Sequence, residues 1–520
     1  MEKASEWLRA PLAAVFPSQE RPAEPSVSPH IPSPQTKAAH AVCTPAVAGE
    51  AAPSASQAER LLRSVQGAPG EAGVSSATDD AEAPAEPLHA PQYLVFSSAG
   101  KLVYASGDAS DAVFAHAGVM QALLALFAGE GGDTLRSIDI EDEQKRRTRV
   151  SVLSQPPLHV TCTSSRDEPR AQAHAQLARV HAAVVSLVSE TRLRQLFQQK
   201  PSFDLRGLLL PMQAYLDGVV ADMDASLALP LRAVPVHPLD AALRAAIART
   251  ITPTPDESDA ERPRDVLYAL VVRQGLLVCL AHPKRHAPHT EDLALLLTMV
   301  RCGGACPGEE DAWAPMCLPH SAPHGFVFVY ASRLHPGADG ATLVLVTGDR
   351  DGFARGRAWR ARLQPACDDG CLRALHTSAA QASADALGIT GLRHYVLASR
   401  RHAQCTSVAP PYATAARNGR LFALYAHALA ALAGGPRPHD VGASLDAAGD
   451  ARVPLSLPCR LQHYRTAQEA VLGWSTASFT LLVAVRPPWL SKAAIAAAAN
   501  RVAAHVRRND KHLFAAAYTF

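Results

Sequence analysis

What this sequence lacks sets its first limits. Phe, Trp and Tyr make up only 5% of its 520 residues, and they do not interleave with the basic clusters as a single-stranded nucleic-acid groove requires. Neither sign of charge dominates. The 50 Lys and Arg against 48 Asp and Glu leave a formal net charge of +2, which gives no global drive toward nucleic acid. No uninterrupted apolar run approaches the roughly 20 residues that cross a bilayer; the best candidate, 421–432, is too short and holds His427. The opening MEKASEWLRAPLAAVF places Glu2 and Glu6 ahead of its apolar patch, with no export cleavage pattern after it. The closing AYTF is not a prenylation box. The expectation is a cytoplasmic protein with reduced cysteines, whose contact with membranes is peripheral.

Catalytic motifs are also lacking. The pair Gly100-Lys101 invites a phosphate-loop reading, but Val95 stands where the first glycine belongs and Leu102 where Ser or Thr belongs. In the stretch 347–352 a calcium loop with Gly352 in sixth place would need Thr347 as first ligand and Ala358 as twelfth. That fails, and the stretch reads as an acidic turn at a strand end. Cys302-x3-Cys306 and Cys367-x3-Cys371 could join as four thiolates, although zinc knuckles are usually tighter; the alternative is free cytosolic thiols. No His-Glu-x-x-His and no Gly-x-Ser-x-Gly occurs. No catalytic residue, metal or cofactor is assigned.

What is present is organised around residues 92–136. Tyr93–Ser97 and Leu102–Ala105 read as a hairpin about the Gly100 turn. The helix that follows places Val113, Phe114, Ala117, Met120, Leu123, Leu124 and Phe127 at three- and four-residue steps on one apolar face. Three strands are expected next, over 135–140, 149–153 and 158–163, then a long helix over 169–197. The order β-β-α-β-β-β-α predicts an α+β domain with an antiparallel sheet flanked by helices.

The same module recurs. A hairpin about Gln274-Gly275, a helix over 291–300, a strand over 341–347 and a closing helix over 378–387 make a second domain. A strand at His394-Tyr395-Val396-Leu397, a helix over 416–433 and a final helix from Ser491 make a third. In that last helix Ile495, Ala499, Val502 and Val506 are expected to face the sheet, with Arg501 and Arg508 outside. The domain limits are therefore a Pro- and Ala-rich tail over 1–90, domains over 91–200, 265–388 and 389–520, and a connector over 201–264. A polar linker spans 251–264 and a Gly-, Pro- and Asp-rich loop 434–452.

The tail carries Pro11, Pro17, Pro22, Pro25, Pro29, Pro32, Pro34, Pro45 and Pro53. Such a composition does not bury enough apolar surface to offset its ordering entropy, so disorder is expected. Limited proteolysis should trim the chain to near Gln92 without unfolding it; a resistant fragment retaining 20–60 would contradict this. Within the tail, Trp7, Leu8, Leu12, Val15 and Phe16 could form one face of a short helix. It reads either as part of an unfolded tail or as an interface or docking element.

Several stretches resemble a known family. They are FSSAGK-x-x-Y from Phe96, GVMQAL from Gly118, GGDTLRSI from Gly131 and Phe203-Asp204-Leu205-Arg206-x-Leu208-Leu209. Further on come Trp313-x-Pro315-Met316-Cys317-Leu318-Pro319 with Gly325-Phe326 and Tyr330, then Tyr464-Arg465-Thr466 and Glu469-x-Val471-Leu472-Gly473-Trp474. Their order and spacing resemble the Mon subunit of the Mon–Ccz complex, a protein of three longin domains, over about 92–514. The resemblance implies a subunit of a heterodimeric guanine nucleotide exchange factor. Its partner would be a Ccz-like tri-longin protein and its client the late endosomal and vacuolar Rab GTPase, with an early endosomal Rab upstream. It implies an anionic phosphoinositide membrane surface, on late endosome or multivesicular body, vacuole and autophagosome, and no nucleic acid. Its roles would be membrane fusion, vacuolar protein transport and autophagy. Exchange of this kind breaks no covalent bond. It needs only differential affinity for two states of the GTPase. The alternative is a longin-type trafficking adaptor that binds a GTPase or coat without exchanging nucleotide.

The resemblance places the GTPase and partner platform on the first domain. Candidates there are His116, Met120 and Gln121 on the helix, and Asp133, Thr134 and Arg136 on the turn after it. Met120 stands at a core-facing step. His116 and Gln121 are the only polar side chains between Ala112 and Ala128, so each needs either a buried hydrogen-bond partner or a docked surface. Of the basic clusters at 145–149, 284–285, 400–402 and 507–511, most read as solvated faces. Arg400, Arg401, Arg507, Arg508 and Lys511 are the membrane-contact candidates, each basic residue contributing about 1 kcal/mol near an anionic surface.

Overall fold

The computed structural model describes residues 90–107, 111–129, 134–141, 147–166, 168–252, 266–302, 311–334, 340–368, 374–375, 377–378, 381–434 and 459–520. The tail, nearly all of the 251–264 linker and all but the first residue of the 434–452 loop lie outside them, so the expectations for those segments concern residues not described.

Each domain is a five-stranded antiparallel sheet with the same strand order. In the first, β1 (Gln92–Ser97), β2 (Leu102–Ala105), β3 (Ser137–Glu141), β4 (Arg147–Gln155) and β5 (Leu158–Ser164) lie in the order β2-β1-β5-β4-β3. The second sheet holds β7 (Val266–Arg273), β8 (Leu276–His282), β9 (Ala312–Leu318), β10 (Ala322–Arg333) and β11 (Thr342–Thr347) as β8-β7-β11-β10-β9. In the third, β12 (Leu392–Ser399), β13 (Gln404–Ser407), β14 (Leu461–Arg465), β15 (Ala470–Ser475) and β16 (Phe479–Val485) run β13-β12-β16-β15-β14. One helix follows the opening hairpin of each: α1 (Asp111–Gly129), α8 (Thr290–Cys302) and α10 (Ala415–Leu432). Another follows the fifth strand: α2 (Arg170–Val188), α9 (Phe353–Asp368) and α11 (Lys492–Arg508). The α+β class and three repeated modules are as the sequence implies.

Central strands are buried on both faces, so alternate residues enter different cores. Leu481 and Val483 pack with α11, whereas Leu482 and Ala484 pack with α10. Ile495, Ala499, Val502 and Val506 are buried in the α11 core, while Arg501 and Arg508 are exposed. The first two domains share one core. Tyr93, Val95 and Val160 of the first sheet meet Leu177 and Val184 of α2, then Tyr215 and Val219 of α5 (Gln213–Ala225), then Leu296 of α8 and Leu270 and Val329 of the second sheet.

Three expectations are corrected. The helix over 169–197 is two helices, α2 and α3 (Glu190–Gln199), broken at Ser189, whose φ of 64° ends the first. The Ser189 hydroxyl accepts from Arg192 N at 3.3 Å and caps the second. The helix closing the second domain is α9, not 378–387; there the described structure holds a 3-10 turn over Asp385–Leu387. Gly356 lets α9 lie close on the sheet, because a Cβ at that position would stand 2.5 Å from the Tyr330 ring. Lastly, two of the sheets gain a parallel edge strand.

Those edge strands come from outside their domains. β6 (Val234–Pro235), from the connector, pairs parallel with β13, and Val236 bridges to Leu277 of β8. β17 (Ala517–Thr519), after the third domain, pairs parallel with β8 of the second. Both cover sheet edges that would otherwise be open to another chain. Arg244, on α7 (Ala241–Ile251) and 2% exposed, fixes the crossing. Its guanidinium donates to the carbonyls of Val278, His237 and His512 at 2.6, 3.0 and 2.7 Å. Gln404 and Ala515 exchange two further bonds at 2.8 and 2.9 Å.

Candidate functional site

Helix α1 lies on the first sheet opposite α2. Its inner face is made by Val113, Ala117, Met120 and Leu124, which are buried against Leu94, Phe96, Val150 and Val152. Its outer face is apolar too. Phe114 is 43% exposed, Val119 58%, Leu126 56% and Phe127 40%. The stripe reading placed Phe114 and Phe127 inside; the structure puts both at the surface. A surface helix normally turns charge toward water, yet no charged residue occurs between Ala112 and Ala128. The apolar surface continues onto the connector. The Arg206 guanidinium lies 5.7 Å from the Phe114 ring centre, and Leu210, a few residues on, is 63% exposed.

Met120 is 2% exposed and belongs to the core beneath the helix, so it offers a partner no surface. His116 is half-buried, and its Nε2 is covered and has no hydrogen-bond partner among the described residues. Burial lowers its pKa below the ordinary imidazole value, which favours the neutral ring. Gln121 reaches back over the hairpin turn, where its Nε2 donates to the Ser98 carbonyl at 3.4 Å. The turn requires φ +76° at Gly100, and a Cβ there would touch the Gln121 amide at 3.4 Å. Gln121 therefore ties hairpin to helix. Thr134 and Arg136 are exposed beyond the helix, and the Arg136 carbonyl accepts from Val152 N. Asp133 lies outside the described residues.

The membrane-contact candidates sit at one end of the third domain. Arg400 and Arg401 occupy the β12–β13 turn and are exposed; Arg400 bonds the Ser475 hydroxyl at 2.9 Å. Arg507 and Arg508 end α11, and Lys511 lies on α12 (Asp510–Leu513), all three exposed. His402 joins the two clusters, stacking on Phe514 and approaching Asp510 at 3.8 Å. The cluster at 145–149 is partly neutralised, since Arg147 and Arg149 both pair with Asp139 at 2.7 Å. Lys145 and Arg146 lie outside the described residues.

A cleft of about 200 Å³ opens between the connector, α8 and the third domain. Its Arg179 and Arg301 already pair with Glu291 and Asp222. Among the described residues no group of three His, Cys, Asp or Glu is placed to hold a metal ion. Cys302 and Cys317 are free thiols. Cys306, Cys371 and the Cys367 side chain lie outside the described residues.

Comparison with known proteins bears on all three modules. The family model for the first longin domain of FUZ, MON1 and HPS1 matches residues 91–217, that for the second 264–364 and that for the third 391–510. A human relative, "Vacuolar fusion protein MON1 homolog B", is 30% identical over 81% of this chain and 74% of its own length. The chain belongs to the Mon family of tri-longin proteins. Another member, "Vacuolar fusion protein MON1" of Cryptococcus neoformans, is 31% identical over 81% of this chain. This chain spans 64% of that Mon protein's length. A human "Vacuolar fusion protein MON1 homolog A" is 26% identical over 82% of the chain. No described helix is long and apolar enough to cross a membrane.

Proposed function

We propose that this Mon-family chain serves vacuolar fusion as one subunit of a heterodimeric guanine nucleotide exchange factor. The outer face of α1 carries the reading. It is an apolar helix surface with no charged residue from Ala112 to Ala128 and four large side chains open to water, and such patches mark interaction sites. The partner is a Ccz-like tri-longin subunit. The client is the late endosomal and vacuolar Rab, bound where the two first domains meet. An early endosomal Rab acts upstream. Exchange follows from binding the nucleotide-free GTPase more tightly than the nucleotide-bound form. The chain works at late endosome, vacuole and autophagosome membranes as a peripheral protein. Arg400, Arg401, Arg507, Arg508 and Lys511 face anionic phosphoinositide headgroups. This serves vacuolar protein transport and autophagy.

The names of the Mon relatives support the vacuolar role, and the α1 surface supports a subunit that needs a partner. The test is release of fluorescent GDP from the late endosomal Rab, with the chain alone and with its partner co-expressed. Substantial exchange only in the pair is the expected result. Binding without exchange in either form would favour the adaptor.

A finer test is His116→Ala with Gln121→Ala in the purified pair. His116 is half-buried, and its Nε2 has no hydrogen-bond partner among the described residues, so a docking event that opens access to it has a use for it. Exchange should fall roughly tenfold, the effect of losing one or two hydrogen bonds, with the pair intact by gel filtration. Full activity would remove both side chains from the site.

A further inference from the structure

The segment after α12 lies along the outer edge of β8 in the second sheet. Phe514 and Ala515 are buried, and Ala515 exchanges two hydrogen bonds with Gln404 of the third sheet. Ala516, next in line, is exposed. From there the chain runs parallel to β8, with Ala517, Tyr518 and Thr519 opposite Leu280, Ala281 and His282. Phe520 extends the pairing. Its N–H donates to the His282 carbonyl at 3.2 Å, and its carbonyl accepts from Lys284 N at 3.3 Å. Side chains alternate along a strand. Tyr518 and Phe520 therefore share the inner face and pack, partly buried, on the cluster of Leu239, Ile247, Val278 and Ala281. Ala517 and Thr519 point to water.

Firmness changes at Ala516. Before it lies a buried, hydrogen-bonded anchor; after it runs a strand of three residues, none of them buried. Such a segment opens locally at low cost. The edge beneath it is rigid by contrast. Val278, Cys279 and Ala281 are 0% exposed, and the far side of β8 is paired with β7. The rest of the edge is closed, since Val236 bridges Leu277 and Arg244 holds the Val278 carbonyl. Lifting 516–520 thus frees one short stretch, 280–284. It offers main-chain groups to a parallel strand and two apolar seats, spaced two residues apart, that take aromatic rings.

We propose that the 280–284 edge of β8 is a docking site for an extended segment of a partner protein with aromatic residues at alternate positions, and that 516–520 is a strap occupying it until displaced. The strap's own pattern, Tyr518-Thr519-Phe520, shows what the seats accept. Strand addition to a sheet edge draws affinity from main-chain bonds and specificity from the alternate side chains. Tethering gives the strap a local concentration of roughly a millimolar, so a competing strand binds well only when the strap is weakened or lifted.

The test uses a fluorescein-labelled peptide of the strap's sequence, FAAAYTF, titrated by anisotropy. It is added to the purified full chain, to the full chain with Tyr518→Ala and Phe520→Ala, and to the chain shortened to Ala515. The double variant and the shortened chain should bind it about tenfold more tightly than the wild type. Bound peptide should slow hydrogen exchange at 280–284, and a peptide with both aromatics replaced by alanine should not bind. Should the shortened chain misfold, the double variant carries the test. Equal binding by the wild type and the double variant, or no binding by a double variant of unchanged melting midpoint, would overturn the proposal. A full-chain dimer in sedimentation that disappears on removal of 516–520 would make the occupant a second copy and overturn the partner assignment.

Discussion

Val502→Asp abolishes the cooperative unfolding transition of the third domain, or lowers its midpoint by roughly 10 °C. Val502 is fully buried between α11 and the third sheet, in one cluster with Leu481, Val483 and Ile495. The substitution removes an apolar side chain worth about 2 kcal/mol of burial. It also places a carboxylate within an apolar cluster, a cost of several kcal/mol more. The damage should spread. The segment after α11 supplies the His512 carbonyl to Arg244 and β17 to the edge of the second sheet. Losing the seat of α11 loosens that strap, so the second domain should also gain exchange along β8. Arg501→Asp, one residue away and exposed, is the control and should leave the midpoint within about 1 °C. A wild-type midpoint for Val502→Asp would mean that the α11 register is wrong.

The register of α11 could be read in advance because its apolar residues recur at helical steps and its arginines do not. The same holds for the hairpins, where two β-rich runs flank a glycine turn, and it gave three α+β modules. What escaped has identifiable causes. The helix α9 carries Arg355, Arg357, Arg360 and Arg362 and has Pro365 within it, so its composition argues against the helix that Trp359 and Leu363 stabilise by burial. The break at Ser189 depends on one residue at positive φ, and no periodicity marks it. The strands β6 and β17 are two and three residues long, and their partners are distant in sequence. Only tertiary contact makes them strands. At the candidate site, periodicity found one face of α1. The second apolar face was legible in another way, as a missing charge over seventeen positions from Ala112 to Ala128. His116 and Gln121 drew attention as the polar exceptions, yet Gln121 turns out to brace the hairpin.

That second face gives the other large effect. Val119→Glu with Leu126→Glu should leave the isolated chain's melting midpoint within about 1 °C, because both side chains are more than half exposed and leave the core untouched. In the pair each glutamate would be buried against an apolar partner surface. Desolvating an unpaired carboxylate costs about 3 kcal/mol per site, more than a hundredfold in affinity. Pairing with the Ccz-like subunit should therefore fail at micromolar concentration in sedimentation or pull-down, and GDP release from the Rab should fall to the level of the chain alone. Arg508→Glu, exposed on the third domain, should pair and exchange normally in solution and lose activity only on vesicles containing anionic lipid. The two variants thus separate the proposed surfaces. If the α1 double variant pairs normally but no longer exchanges nucleotide, the face belongs to the GTPase rather than to the partner. If it both pairs and exchanges as the wild type does, the outer face of α1 has neither role.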